Sequence, residues 1–155
     1  MRYLRRVLQP GETVVYTTRL HWFIYLRTIL LLVICAILAG AAMSYTDNEN
    51  LSLAVWIAAA IFALLALSTG FRAFIRRSTT ELGVTDQRVV YKAGLFARHT
   101  LEMNRAKVES VAVDQTILGR IFGYGTIIVR GTGSTLEPIR DISDPLTFRS
   151  HITSG

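Results

Sequence analysis

The hydrophobic and polar positions divide this chain into an arm, a long apolar region and a patterned C-terminal segment. From Thr28 to Thr46 no ionisable group occurs except the Cys35 thiol and the Tyr45 phenol, and from Asn50 to Phe71 there is none. Each run is close to the ~20 residues that a helix needs to cross the hydrocarbon core of a bilayer. Asp47, Asn48 and Glu49 are the polar break between them. The pattern predicts a two-helix transmembrane hairpin over 22–77, with spans at about 22–45 and 51–71 and a connecting loop at 46–50.

After Ser78 the period shortens to that of strands with turn punctuation. Thr79–Thr85, Arg88–Lys92, Arg98–Met103 and Lys107–Asp114 read as strands, with a bulge expected at Glu109-Ser110 and a glycine turn over Ala93–Phe96. Thr116–Phe122 carries Ile117, Leu118, Ile121 and Phe122 at helical spacing and predicts a short helix ended by Gly123. Gly125–Arg130 is a strand, Gly131-Thr132-Gly133 a hairpin turn, and Ser134–Ile139 the returning strand. Asp141–Pro145 is expected to open a C-terminal helix, with Asp144 as N-cap, Pro145 in the first turn and Leu146, Phe148 and Ile152 facing the core. In the arm, residues 1–21, Glu12–His21 reads as a further strand with Val14, Tyr16, Thr18 and Leu20 on one face. That strand is expected to pair with the C-terminal sheet or lie on the inner membrane face. The predicted class is an α+β membrane protein, its hairpin followed by an antiparallel sandwich or open barrel over 78–155 closed by a helix.

Composition narrows what this architecture can do. The 155 residues carry a net charge of +6, and the apolar fraction of 51% is raised by the two spans. A segment of about 80 residues supports one small core. The basic residues cluster where the chain meets the membrane, which favours anionic lipid headgroups over nucleic acid as a partner. The single cysteine, Cys35, excludes an internal disulfide and a cysteine-based metal site, and reads as apolar filler.

Charge asymmetry sets the topology. Arg2, Arg5, Arg6, Arg19 and Arg27 precede or open the first span, Arg72, Arg76 and Arg77 follow the second, and the loop has neither Lys nor Arg. Both termini are therefore expected in the cytoplasm and residues 46–50 outside. Trp22 and Tyr25 at one end of the first span and Tyr45 at the other suit the two headgroup levels, and Arg27 can snorkel. Ala39-Gly40-Ala41 resembles a signal cleavage site, but the apolar stretch starts late, is long and is followed at once by a second span, so retention is expected. Ala36/Gly40 and Ala66/Gly70 are small pairs that suit packing of the two helices on each other.

Candidate chemistry is sparse. His21, His99 and His151 have no metal-ligand spacing. Gly131–Thr135 lacks the lysine and following helix of a phosphate loop. Gly119, Gly123 and Gly125 follow a helix, the reverse of a dinucleotide fingerprint. Glu81, Asp86, Glu102, Glu109 and Asp114 are scattered among strands. No catalytic, cofactor or metal site is expected. The spans hold no buried acid or base, which argues against an ion pathway. Arg72, Arg76 and Arg77, at i, i+4 and i+5, share part of a helix face if the second helix continues past its span. Together with Trp22 and Arg27 they form the candidate interface with lipid or a partner.

Three separated segments carry a family resemblance. Thr85-Asp86-Gln87-Arg88-Val89-Val90-Tyr91-Lys92-Ala93-Gly94 resembles the strand–turn–strand signature of bacterial pleckstrin-homology-like (PH-like) domains of the membrane-flanked type. Gly119-Arg120-Ile121-Phe122-Gly123-Tyr124-Gly125-Thr126-Ile127 resembles their second signature, and Leu8-Gln9-Pro10-Gly11-Glu12 their opening. The resemblance implies a split β-barrel of about seven strands capped by the C-terminal helix. Eukaryotic relatives of the fold often bind phosphoinositides through a basic loop pocket, and no compact Lys/Arg pocket stands out here. The expected role is a non-enzymatic integral protein of the bacterial inner membrane whose PH-like domain is an interaction or scaffolding module. Its expected partners are the bilayer and a protein or a second copy, with anionic-lipid binding as the alternative role.

Overall fold

The structure is a computed structural model and describes residues 4–44, 48–95, 99–132, 134–135 and 138–154, apart from the side chains of residues 5, 6, 134 and 135. The expectations for Arg2, Tyr45, residues 46–47, Phe96–Arg98 and Gly133 lie outside that set, as do those for the Arg5 and Arg6 side chains. The chain forms two compact units, residues 24–74 and residues 1–23 with 75–155.

The first unit is a helical hairpin. Helix α2 spans Leu26–Ser44 and is preceded by a 3-10 turn at Trp22–Tyr25; helix α3 spans Glu49–Thr79 and continues into the other unit. Asn48 caps α3, its Oδ1 accepting from the Leu51 N–H at 3.2 Å. With the turn, the helices run 23 and 31 residues and are long and apolar enough to cross a membrane. Within the hairpin the buried positions are small: Ala42, Ala59, Ala66 and Ala73. A Cβ on Gly70 would lie 3.0 Å from Thr28 Cγ2, so the Ala66/Gly70 pair lies on the face between the helices. Gly40 has open space beside it and Ala36 is exposed, so that pair faces outward. Thr28 Oγ1 donates to Thr69 Oγ1 at 3.3 Å, and the Cys35 thiol donates to the Ala59 carbonyl at 3.4 Å.

Among the described residues the second unit holds eight strands in two four-stranded antiparallel sheets. In the first, β1 (Val14–Thr18), β2 (Glu81–Thr85), β3 (Arg88–Ala93) and β4 (His99–Asn104) lie in chain order. In the second, β6 (Tyr124–Gly131) pairs with β5 (Val108–Asp114), with the two-residue β7 (Ser134–Thr135) and with β8 (Ile139–Ser143). The barrel implied by the resemblance is not closed. A 3-10 turn at Arg105–Lys107 separates β4 from β5, and no ladder joins them among the described residues. On the opposite side the arm crosses between sheets: Leu20 bridges Ile142, the His21 N–H donates to the Asp141 carbonyl and the Ser143 N–H to the Arg19 carbonyl. The β5–β6 register slips between Val108 and Ser110, where the bulge is expected.

Apolar side chains from both sheets meet in one core: Leu82, Val84, Val89, Ile127, Val129 and Ile142 are almost fully buried. Helix α5 (Pro145–Thr153) covers it with Phe148 and Ile152. Three expectations for this region are corrected. Asp141–Ser143 does not open the helix but ends β8, because Ile139 and Ile142 pair with Ile127 and Gly125 of β6. Asp144 precedes Pro145 in a left-handed conformation, φ 47°, with no side-chain cap, and Leu146 points outward. A four-residue helix, α1 (Leu4–Val7), seats Leu4 against Gly83, where a Cβ would lie 2.7 Å from Leu4 Cδ2.

Candidate functional site

A dense polar network lies where the arm meets the β2–β3 turn. Glu12 is buried, and its carboxylate takes four donors. Arg88 Nε and Thr85 Oγ1 reach Oε1 at 2.9 and 2.7 Å; Arg88 Nη2 and the Gln9 N–H reach Oε2, both at 2.8 Å. Arg88 also donates to Glu102 Oε2 and to the Val7 carbonyl, each at 2.6 Å. Thr85 Oγ1 in turn accepts from the Gln87 and Arg88 N–H groups and fixes the turn. One residue on, Asp86 and Thr13 exchange bonds: the Thr13 N–H donates to Asp86 Oδ1 and the Asp86 N–H to the Thr13 carbonyl.

The Arg88 guanidinium holds the Glu12 carboxyl well below its usual range, at about 2, against the opposing effect of burial; backbone and Thr85 hydrogen bonds add to the lowering. Such a carboxylate is a poor base, and its lone pairs are taken. Arg88 is raised by the same pairing. The network is therefore a staple, joining the Leu8–Glu12 and Thr85–Arg88 segments that carry the family resemblance. The partners lie 76 positions apart in the sequence, where pairing of the arm with the C-terminal sheet is expected but this ion pair is not.

A second cluster surrounds the chain's exit from this unit. His21, Phe23 and Tyr124 stack, with ring centroids 5.5 Å apart for His21–Tyr124 and 4.3 Å for Phe23–Tyr124. The Phe122 ring lies 5.6 Å from Phe23 and meets Trp22 edge-on at 6.1 Å. His21 Nδ1 accepts from the Phe23 N–H at 3.3 Å. Burial lowers the His21 pKa, the Arg77 charge lowers it further, and Asp144 and Asp141 oppose them.

The interface residues expected from sequence divide between the units. Trp22 and Arg77 are exposed and belong to the strand-containing unit, as does Arg76, whose Nη1 lies 3.3 Å from Asp141 Oδ2 with half its side chain exposed. Arg27 and Arg72 are exposed on the helical hairpin. The charge partner of Arg76 is not legible in the sequence, because Asp141 belongs to a strand, β8, that local pattern does not reveal. His99 lies exposed on β4, and His151 stacks on Tyr16 at 4.6 Å. Among the described residues no three His, Cys, Asp or Glu side chains group as metal ligands.

A family model described as bacterial PH domain matches residues 13–155, which includes β1, the hairpin and the whole C-terminal segment. No curated protein and no solved structure matches the chain.

Proposed function

The chain belongs to the bacterial PH domain family, and on that premise we propose that it is a membrane-anchored, non-catalytic protein. Its PH-like unit serves as a protein-interaction or scaffolding module at the cytoplasmic face of the inner membrane. The observation that carries the reading is the surface of the hairpin. Ile37, Leu64, Leu67 and Phe71 are each more than 60% exposed, on helices whose buried positions are alanines. A soluble core helix buries its large side chains and exposes small or polar ones; this arrangement is the reverse and suits lipid. The absence of Lys and Arg from the loop supports cytoplasmic termini. The staple supports a rigid module, since it spends Glu12 and Arg88 on structure and leaves no free acid–base pair there.

A second reading, direct contact with anionic lipid, is favoured by the exposed basic residues Arg72, Arg76 and Arg77, set one after another along the end of α3. The test of the main reading is alkaline carbonate extraction of cells expressing the full chain. Retention in the pellet is expected, and release into the supernatant would contradict anchoring.

A further inference from the structure

We infer that the PH-like unit makes its own contact with the bilayer through the helix between β5 and β6, α4 (Ile117–Phe122), which lodges in the headgroup–acyl boundary. The inference rests on the anchored reading above and assigns a lipid-contacting surface to a part of the chain outside the spans and outside the basic collar.

The surface is built from one turn and a half of helix. Ile117 is 80% exposed, Ile121 70% and Leu118 50%, and Phe122 is also exposed. These are the residues whose helical spacing predicts α4, and the structure turns them away from the core. Gly119 is the buried position, and a Cβ there would lie 2.6 Å from the Tyr124 carbonyl oxygen, so only glycine allows this close approach. The helix is fixed at both ends. Thr116 Oγ1 accepts from the Gly119 N–H at 3.0 Å, and Gly123, in the left-handed region at φ 73°, returns its N–H to the Gly119 carbonyl. Gln115 Nε2 donates to the Tyr124 carbonyl at 3.0 Å, and the Asp144 N–H donates to the Gly123 carbonyl at 2.9 Å. The exposed aliphatics are thus presented on a preformed support.

Three observations commit the occupant to lipid. The Phe122 ring lies against Trp22 and Phe23, and the chain passes from Phe23 into α2 at Leu26. If α2 enters the bilayer, Trp22 and Phe23, the ring partners of Phe122, lie only a few residues along the chain from the point of entry. Trp22, exposed and edge-on to Phe122, is the residue type that settles at that level. The one charged residue of α4, Arg120, is exposed and basic, which suits headgroup phosphates; the helix has no acidic residue. An apolar face with a basic edge, packed against the residues that lead into a span, matches an interfacial element seated about 5–10 Å into the boundary.

The test uses the full chain with Cys35→Ala, reconstituted in vesicles of phosphatidylcholine and phosphatidylglycerol. Single cysteines replace Ile121, Leu64 of α3 or Glu109 of β5, and each carries a nitroxide. Collision with oxygen, which concentrates in lipid, is compared with collision with a water-soluble nickel chelate. The oxygen-to-nickel ratio at Ile121 is expected to exceed that at Glu109 several-fold, and Leu64 to exceed it as well. If Leu64 reports lipid and Ile121 matches Glu109, the α4 contact is overturned and anchoring stands. If Leu64 also matches Glu109, anchoring fails and the α4 contact falls with it. An Ile121 label shielded from both reagents would mean that protein, such as a second copy, covers α4, and would overturn the lipid assignment.

Discussion

Arg88 holds Glu12 through two parallel hydrogen bonds, Nε to Oε1 at 2.9 Å and Nη2 to Oε2 at 2.8 Å, between residues 76 positions apart. The Glu12 side chain is fully buried and that of Arg88 is 15% exposed. Breaking one partner of such a pair leaves an uncompensated charge out of water. Arg88→Met should therefore destabilise the protein by about 3–5 kcal/mol, and Arg88→Lys should also lose the fork geometry. Glu12→Gln in the Arg88→Met background should recover part of the loss. Denaturant unfolding of the detergent-solubilised chain reads all three. Equal stability of wild type and Arg88→Met would remove the staple from the account.

The same pair makes stability depend on acid. Glu12 titrates near 4.5 when unfolded and at about 2 when folded. Between those values the unfolded state binds the extra proton, so stability rises with pH there. The contribution is complete above 4.5 and is lost as pH falls through about 2, a difference on the order of 3 kcal/mol. His21 has the same sign: its lowered folded pKa makes stability decline as pH falls below 6.5. Melting temperatures of wild type and Glu12→Gln should differ most above pH 4.5 and converge as pH falls from 4.5 toward about 2. Parallel curves would contradict the assignment.

Strand β6 is the centre of the second sheet, and two of its residues test the core. Ile127 is completely buried, so Ile127→Asp places an unpaired carboxylate among apolar side chains at ~3 kcal/mol or more. That is a large part of a total of ~5–15 kcal/mol. At Gly125 a Cβ would lie 2.8 Å from Gln115 Cγ and 2.9 Å from the Asp114 carbonyl oxygen, so Gly125→Val forces backbone to move. Both variants should lose the cooperative unfolding transition of the PH-like unit. A wild-type melting temperature in either would show that the strand is placed wrongly.

What the pattern could and could not reveal follows from the range of each interaction. Strand β3, the β5 bulge and α4 with its Gly123 stop are local features, set by alternation, turn chemistry and capping, and they stand where the sequence places them. The direction α4 faces is not local: it depends on Gly119 meeting Tyr124. Strand β8 was hidden because Arg140-Asp141-Ile142-Ser143 has no strand period of its own and is held by pairing to β6. The Glu12–Arg88 staple was hidden for the same reason, and the partner of Arg76 followed from β8. Helix α3 runs to Thr79, beyond the end of the charge-free stretch, so that Arg72, Arg76 and Arg77 lie on one helix.

The basic collar separates topology from recognition. The Arg76–Asp141 pair is half exposed, and a surface pair of this kind contributes ~0–1 kcal/mol. Replacing Arg72, Arg76 and Arg77 together by Lys keeps the charge that topology reads. Orientation and retention on anionic vesicles are expected to be unchanged. Weakened retention with orientation intact would assign these arginines bidentate recognition of phosphate, for which lysine is a poor substitute.

The central claim is that a membrane hairpin holds the PH-like unit at the cytoplasmic face. It is tested most directly by labelling intact cells with an impermeant thiol reagent. The outward cysteine is placed at Asn50 rather than at Asn48, whose side chain caps α3. In a Cys35→Ala background, Asn50→Cys should be labelled in intact cells, and Ser154→Cys only after permeabilisation. Labelling of Ser154→Cys in intact cells, with Asn50→Cys protected, would contradict the account.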